Sequence, residues 1–235
     1  MKFLNIDSPF MRFLARMGDL MLLNLITAVL CIPVITIGAS ITALHYVCLK
    51  LVRGEEGYIF KDYFKSFKEN FKQATIIWLI GLVIVGVIVM DVRILSVAEN
   101  APKGLGTAIL AISIITFVVT RLVFPVLSHF ENTVFNTIKN GIFMSLLAAP
   151  KVLCMAILEA APLVGLYFAF THESASRLIP IILLFGWSLP AYLGAIMYDK
   201  TFQKFEPEKE NDIVSDEDFH VVVEEEEEQS GESNN

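Results

Sequence analysis

The residues of this 235-residue chain that could carry chemistry are polar or ionisable side chains inside long apolar segments. A charged group in hydrocarbon costs about 3 kcal/mol or more, so such residues usually face a partner or a water-filled cavity. They can therefore line a polar pathway, or they can hydrogen-bond a neighbouring helix and fix its packing. The candidates are Asp19, Asn24, His45 and Glu159.

Glu159 and His45 define two competing hypotheses. Glu159 lies near the middle of a predicted fifth span, and His45 lies near the middle of a predicted second span. In the first hypothesis both line a pathway through the membrane. In the second, Glu159 is neutral and hydrogen-bonded to a neighbouring helix. Because polar contacts between membrane helices commonly serve structure, the sequence alone favours the second hypothesis.

Motifs for catalysis and for cofactor or metal binding are missing from the sequence. It has no glycine-rich phosphate loop, no nucleophile elbow and no zinc-type histidine pair. The histidines are scattered, and the three cysteines lie in apolar runs without metal-ligand spacing. We therefore predict no catalytic residues, no cofactor, no metal site and no enzymatic activity.

The elements that position these polar side chains are long, predominantly apolar segments. Hydrophobic residues make up 55% of the chain, and the mean hydropathy is +0.62. Runs of this kind predict an all-α, polytopic membrane bundle with about six spans. The predicted spans cover about 17–32, 38–53, 74–95, 104–124, 142–170 and 178–198.

A basic amphipathic segment precedes the third span without a break. Its phenylalanines fall on one helical stripe and its lysines on an adjacent one, which is typical of a helix in a membrane surface. Interfacial helices are predicted at about 9–16, 59–72 and 126–140. The residues predicted to contact lipid are Phe60, Lys61, Phe64, Lys65, Phe67, Lys68, Phe71 and Lys72.

The segment 33–40 joins the first two predicted spans. Pro33 ends the first helix, and the small residues that follow form a turn. Each arm has only about sixteen residues, fewer than the ~20 of a perpendicular span. Two thin spans or a re-entrant hairpin both fit, and we favour two thin spans. A secretory signal cleaved near Gly38-Ala39-Ser40 is disfavoured, because the apolar region continues past that point.

Basic residues predict the orientation of the bundle. Fourteen lysines and arginines fall on the side of the N-terminus and three on the opposite side. The positive-inside rule therefore predicts cytoplasmic N- and C-termini and contact with anionic lipid headgroups. The last segment, 201–235, contains a run of acidic residues and is predicted to be a disordered cytoplasmic tail.

A threefold repeat is a further hypothesis. Three times a basic residue, any residue and a small residue join an amphipathic segment to an apolar one, at 16–18, 72–74 and 139–141. Internal duplication is common in transporters. Any helix that leaves the inner face of a membrane could end its basic flank in this way, so both interpretations stay open.

The chain resembles the YesL family, bacterial integral membrane proteins with a domain of unknown function (624). The resemblance covers about residues 5–200 and depends on five motifs in order. They are Met11-Arg-Phe-Leu with Gly18-Asp19 and Asn24, the turn Pro33–Ser40, the phenylalanine-lysine helix 60–73, Phe124-Pro125 and Phe130-Glu131-Asn132.

The resemblance implies a role but no residue-level activity. Family members are often encoded beside carbohydrate-uptake ABC systems, which implies an accessory protein of carbohydrate uptake or its regulation, with an ABC transporter or another membrane complex as partner. The alternative is a small secondary transporter or permease subunit that uses the intramembrane polar residues. No nucleic-acid partner is expected.

Overall fold

The computed structural model describes residues 9–55, 57–97 and 104–206, and the secondary-structure elements in these ranges are all helical. Five helices are long and apolar enough to cross a membrane, or six if one bent pair counts as a single span. This confirms the predicted all-α membrane bundle.

Eight α-helices follow one another along the described chain, with two short 3-10 helices at 34–36 and 173–178. The helices are α1 (Pro9–Leu30), α2 (Ile37–Arg53), α3 (Ile59–Val97), α4 (Leu105–His129), α5 (Val134–Leu147), α6 (Ala149–Thr171), α7 (Ile179–Phe185) and α8 (Ser188–Phe202).

Helix α2 lies at the centre of the bundle. Ten of its seventeen residues are buried, and many of them are small, so neighbouring backbones can approach closely. At Gly38 a Cβ atom would lie 2.5 Å from the carbonyl oxygen of Ala74 on α3. Gly54 then ends α2 in the left-handed conformation that glycine adopts without steric penalty.

Helix α3 joins the predicted interfacial helix (59–72) and the predicted span (74–95) into one continuous element, in agreement with the absence of a break between them in the sequence. No glycine or proline lies between Lys72 and Ala74, and helix propagation past a formed turn is favourable. The 39-residue helix is about 58 Å long, roughly twice the ~30 Å hydrocarbon core. The predicted segments 9–16 and 17–32 merge in the same way into α1.

The first half of α3 packs against α2. Tyr63 is fully buried and donates a hydrogen bond to the carbonyl oxygen of Ser40 at 3.1 Å. Farther along, Trp78 Nε1 donates to the carbonyl oxygen of Val34 at 2.8 Å. Trp78 is six residues past Lys72, so the turn before α2 lies about 9 Å beyond that lysine along α3. Both arms of this hairpin, Pro9–Leu30 and Val34–Arg53, are among the helices long and apolar enough to cross a membrane, so two spans and a re-entrant hairpin both stay open.

The predicted elements 126–140 and 142–170 are divided differently in the structure. Helix α4 continues through Pro125 to His129, because buried packing of its last turns compensates for the one backbone hydrogen bond that proline removes. Thr133 then caps α5 and accepts a hydrogen bond from the amide of Asn136. The next break falls at Ala148, and Pro150 occupies the first turn of α6, where a missing amide proton has no cost.

The last predicted span, 178–198, is a bent pair of helices. The segment Ser176–Phe185 meets α8 at 54°. Asn24 on α1 binds this break: its Oδ1 accepts from the amides of Trp187 at 2.7 Å and Ser188 at 3.0 Å. Its Nδ2 donates to the carbonyl oxygen of Leu183 at 2.7 Å. One buried side chain thus satisfies three backbone groups that the bend leaves without helical partners.

Ionic contacts connect several helices at one end of the bundle. Arg53 Nε lies 2.7 Å from Asp199 Oδ1, and Lys50 Nζ lies 2.9 Å from Asp62 Oδ2. Arg16 also donates to the carbonyl oxygen of Leu51 at 2.7 Å. The C-terminal end of α2 is therefore tied to α1, α3 and α8 at one level. The predicted acidic tail lies outside the described residues from position 207 onward.

Candidate functional site: an intramembrane polar cluster

An ion pair lies between the apolar faces of α4 and α6. Arg121 Nη1 donates a hydrogen bond to Glu159 Oε2, and the two side chains keep 26% and 19% of their surface exposed. Both residues lie inside helices long enough to cross the membrane. The partner of Glu159 is therefore a cation, whereas the packing hypothesis expected a neutral, hydrogen-bonded carboxyl group.

Arg121 makes a second contact and keeps unused donor capacity. Its guanidinium carbon lies 4.1 Å from the ring centroid of Phe117, one turn earlier on α4, which is within cation–π range. Its Nε is buried and has no hydrogen-bond partner. Since a buried donor without an acceptor is costly, this atom marks where an additional acceptor would be stabilised.

His45 lies at the same level on α2. Its ring is buried, and Nδ1 lies 3.4 Å from Tyr198 Oη on α8. A ring nitrogen can donate or accept according to the tautomer, so either group can supply the proton of this contact. The structure thus brings His45 and Glu159 into one cluster, together with Arg121, which the sequence analysis did not single out.

Two cavities meet at this cluster. The larger has a volume of about 660 Å³ and lies among α2, α3, α4 and α5. The smaller has a volume of about 490 Å³ and lies among α1, α2, α6 and the α7–α8 break. Both volumes fall in the ~300–1,000 Å³ range of small-molecule sites. The residues that line both cavities are Ile41, His45, Arg121 and Glu159.

The other predicted polar residues lie elsewhere. Asn24 stabilises the α7–α8 break and lines neither cavity. Asp19 is half-buried on α1 and also lines neither cavity. Lys151, near the start of α6, donates to Thr201 Oγ1 at 3.1 Å. Of the four predicted candidates, His45 and Glu159 therefore line the cavities, Asn24 holds helices together, and Asp19 lies outside both arrangements.

The predicted lipid-contacting residues share the first half of α3 but not one environment. Phe67 packs against a buried cluster formed by α2, α3 and α4, whereas Phe60 is 52% exposed. The buried positions of this half are Tyr63 and Ser66, so the face against α2 runs beside the phenylalanine stripe. The exposed members are Phe60, Lys61, Phe64, Lys65, Lys68, Phe71 and Lys72.

Arg121 is the member of the cluster that sequence reasoning missed. It lies near the end of the predicted span 104–124, where a basic residue is expected from the positive-inside pattern alone. The available signal was the pair of single opposite charges, Arg121 and Glu159, each in a long apolar segment. Among the described residues no group of three or more histidines, cysteines or carboxylates could hold a metal ion.

Comparison with known proteins gives one finding. Residues 20–92 match a family model described as "Protein of unknown function, DUF624". No curated protein and no solved structure matches the chain. The matched segment runs from α1 through α2 into the apolar half of α3. Over these residues the match confirms the resemblance drawn from the sequence, and the chain is a membrane protein similar to the DUF624, YesL-like family.

Proposed function

We propose that this membrane protein binds a small ligand at the cluster of Arg121, Glu159 and His45 and moves it between the two cavities, as a small secondary transporter or permease subunit. The observation that carries this proposal is the position of the ion pair: the same two side chains line both cavities. No catalytic step is part of the proposal.

Breaking or moving the contact between Arg121 and Glu159 would connect the two cavities. The pair joins α4 to α6, and both helices also border the smaller cavity through Arg121 and Glu159. A ligand that competes for Arg121 would release Glu159 and with it the link between these two helices. Transporters commonly bind substrate at such a site near the bilayer centre and rock helices around it.

A two-sided labelling experiment tests this mechanism. Cys31 lines the smaller cavity, and Ser113 lines the larger one. In a Cys48→Ala, Cys154→Ala background, Cys31 and a Ser113→Cys substitution report on one cavity each. Their reaction with a membrane-impermeant maleimide is measured in right-side-out and inverted vesicles.

Glu159→Gln should shift the labelling of the two positions in opposite directions, since opening one cavity closes the other. Lys151→Gln is the matched control, because it removes a hydrogen bond of α6 away from the cavities. If Glu159→Gln lowers thermal stability while both labelling rates stay unchanged, the ion pair only fixes packing and the proposal fails.

The second candidate is an accessory role in carbohydrate uptake or its regulation. The exposed phenylalanines and lysines in the first half of α3 favour it, because such a surface suits anionic lipid headgroups or a membrane complex such as an ABC transporter. In this proposal the protein lies in the bacterial cell membrane with both termini in the cytoplasm.

Purification in mild detergent separates the two candidates. Replacing Lys61, Lys65, Lys68 and Lys72 by glutamine should abolish co-purification of a partner in the accessory case. As a control for non-specific loss, a second variant carries glutamine at four exposed positions outside the first half of α3. Retention of the same partner by the quadruple variant would contradict the accessory role of this surface.

A further inference from the structure

The larger cavity has the shape and lining of a site for a chain-bearing molecule. Most of its lining side chains are aliphatic or aromatic, contributed mainly by the apolar half of α3 and the facing surface of α4. Its charged members are the ion pair, with His45 beside them, and the hydroxyl groups of Ser113, Thr116 and Thr120 follow along α4. A ligand that fills this space therefore needs a long apolar part and one polar end.

The charge of the polar end follows from Arg121. Among the described residues that line the cavity, Arg121 is the one fixed cation. Glu159 occupies its Nη1, while Nε is buried without an acceptor. Guanidinium groups bind planar or tetrahedral oxyanions through two parallel donors, and Nε with a neighbouring Nη forms such a pair.

We infer that the larger cavity binds a single-chain anionic lipid, with its phosphate or carboxylate on Arg121 and its chain along α3 and α4. This inference rests on the proposed ligand site and specifies its ligand. It also assigns Arg121 as the specificity-determining residue and Glu159 as the internal anion with which the lipid head competes for the guanidinium.

The chain carries its own reporter for this site. It has two tryptophans: Trp78 lines the larger cavity, and Trp187 lines the smaller one. A Trp187→Phe background leaves Trp78 as the single fluorophore. Trp78 fluorescence is then quenched by a brominated octadecyl phosphate, titrated into phosphatidylcholine vesicles that hold the full-length protein, and by brominated octadecanol as the uncharged probe.

The phosphate probe should quench Trp78 saturably, with an apparent affinity at least tenfold above that of the alcohol. Arg121→Gln should remove this preference. Glu159→Gln, which frees the guanidinium, should retain or strengthen it. The double variant Arg121→Gln, Glu159→Gln leaves no unpaired charge and should also lose the preference, which keeps the test valid if Arg121→Gln alone does not fold.

Equal quenching by the two probes, or a preference that survives the double variant, would overturn the inference. Full competition by inorganic phosphate at the same concentration would overturn it as well, because the apolar chain would then contribute nothing. The labelling experiment on Cys31 and Ser113→Cys reports movement rather than ligand class. The quenching experiment can therefore refute the ligand class without touching the proposed movement between the cavities. The labelling experiment can likewise refute the movement without touching the ligand class.

Discussion

Glu159→Gln and Arg121→Gln should lower the free energy of unfolding by different amounts, although each removes one partner of the same ion pair. Glu159→Gln leaves a guanidinium that keeps its proton, so an uncompensated charge stays inside α4. Breaking a buried pair from one side costs about 3–5 kcal/mol, and a lone arginine at a helix centre about 2.5–3.5 kcal/mol. Because both side chains stay partly exposed, we expect the lower end, about 3 kcal/mol.

Arg121→Gln should be milder because the remaining carboxyl group can take up a proton. What is lost is then one interhelical polar contact, about 1 kcal/mol by the values measured between membrane helices. The double variant Arg121→Gln, Glu159→Gln contains no charge and should also lose about 1 kcal/mol. It should therefore be more stable than Glu159→Gln alone, although it carries one more substitution.

Unfolding in mixed micelles, followed by circular dichroism or by steric trapping, measures these differences. The matched control is the salt bridge of Lys50 and Asp62, which lies near the end of the bundle. Lys50→Gln and Asp62→Asn should each change the unfolding free energy by less than about 1 kcal/mol. Additive losses at Arg121 and Glu159, or a larger loss for Arg121→Gln than for Glu159→Gln, would refute a charge held inside the membrane.

Three further predictions concern the helices around the cluster. Asn24→Ala should destabilise the protein by about 2 kcal/mol, since it leaves buried backbone groups of the α7–α8 break without a partner. Asn24→Asp should lose at least as much in the same unfolding assay, because a carboxylate cannot donate to Leu183 and adds a charge among apolar helices. Gly38→Leu should weaken α2–α3 packing and lower the thermal midpoint, because its Cβ would meet the Ala74 backbone at 2.5 Å. A Cβ at Gly86 would meet no neighbouring element within 4 Å, so Gly86→Leu should leave the midpoint unchanged. Val34→Cys should react rapidly with an impermeant maleimide added outside the cell, because two full spans place the turn before α2 on the outer side; protection from the outside reagent would show a re-entrant hairpin instead.

Local signals predicted the helical segments well where the sequence pattern and the packing agree. The charge-free run after Lys72 predicted the apolar half of α3, and α2 begins and ends within one residue of the predicted 38–53. Where a single residue type was given too much weight, the boundaries were wrong. The predicted fourth span ends at position 124, just before Pro125, but the buried last turns of α4 continue past this proline.

The candidate site could be predicted only in part. Glu159 and His45 were recognised as polar groups at membrane depth, because an isolated charge in an apolar run is visible in any sequence. Their common neighbour could not be identified, since Arg121 and Glu159 are 38 positions apart and meet only through the packing of α4 on α6. The two cavities are likewise a product of helix packing rather than of any local pattern.

The threefold repeat stays a prediction. All three basic-to-small joins lie inside helices, namely α1, α3 and α5. In α1 and α3 the amphipathic segment and the apolar one form a single helix. In the third unit Ala148 separates α5 from α6, so the third unit departs from the pattern of the first two.

The distance between the two cavities tests most directly whether the ion pair controls movement. Spin labels on Cys31 and Ser113→Cys, in the background without Cys48 and Cys154, can be measured by pulsed electron resonance in lipid vesicles. The account predicts two distance populations whose ratio changes in Glu159→Gln. A single population that is identical with and without the Glu159 carboxylate would contradict it.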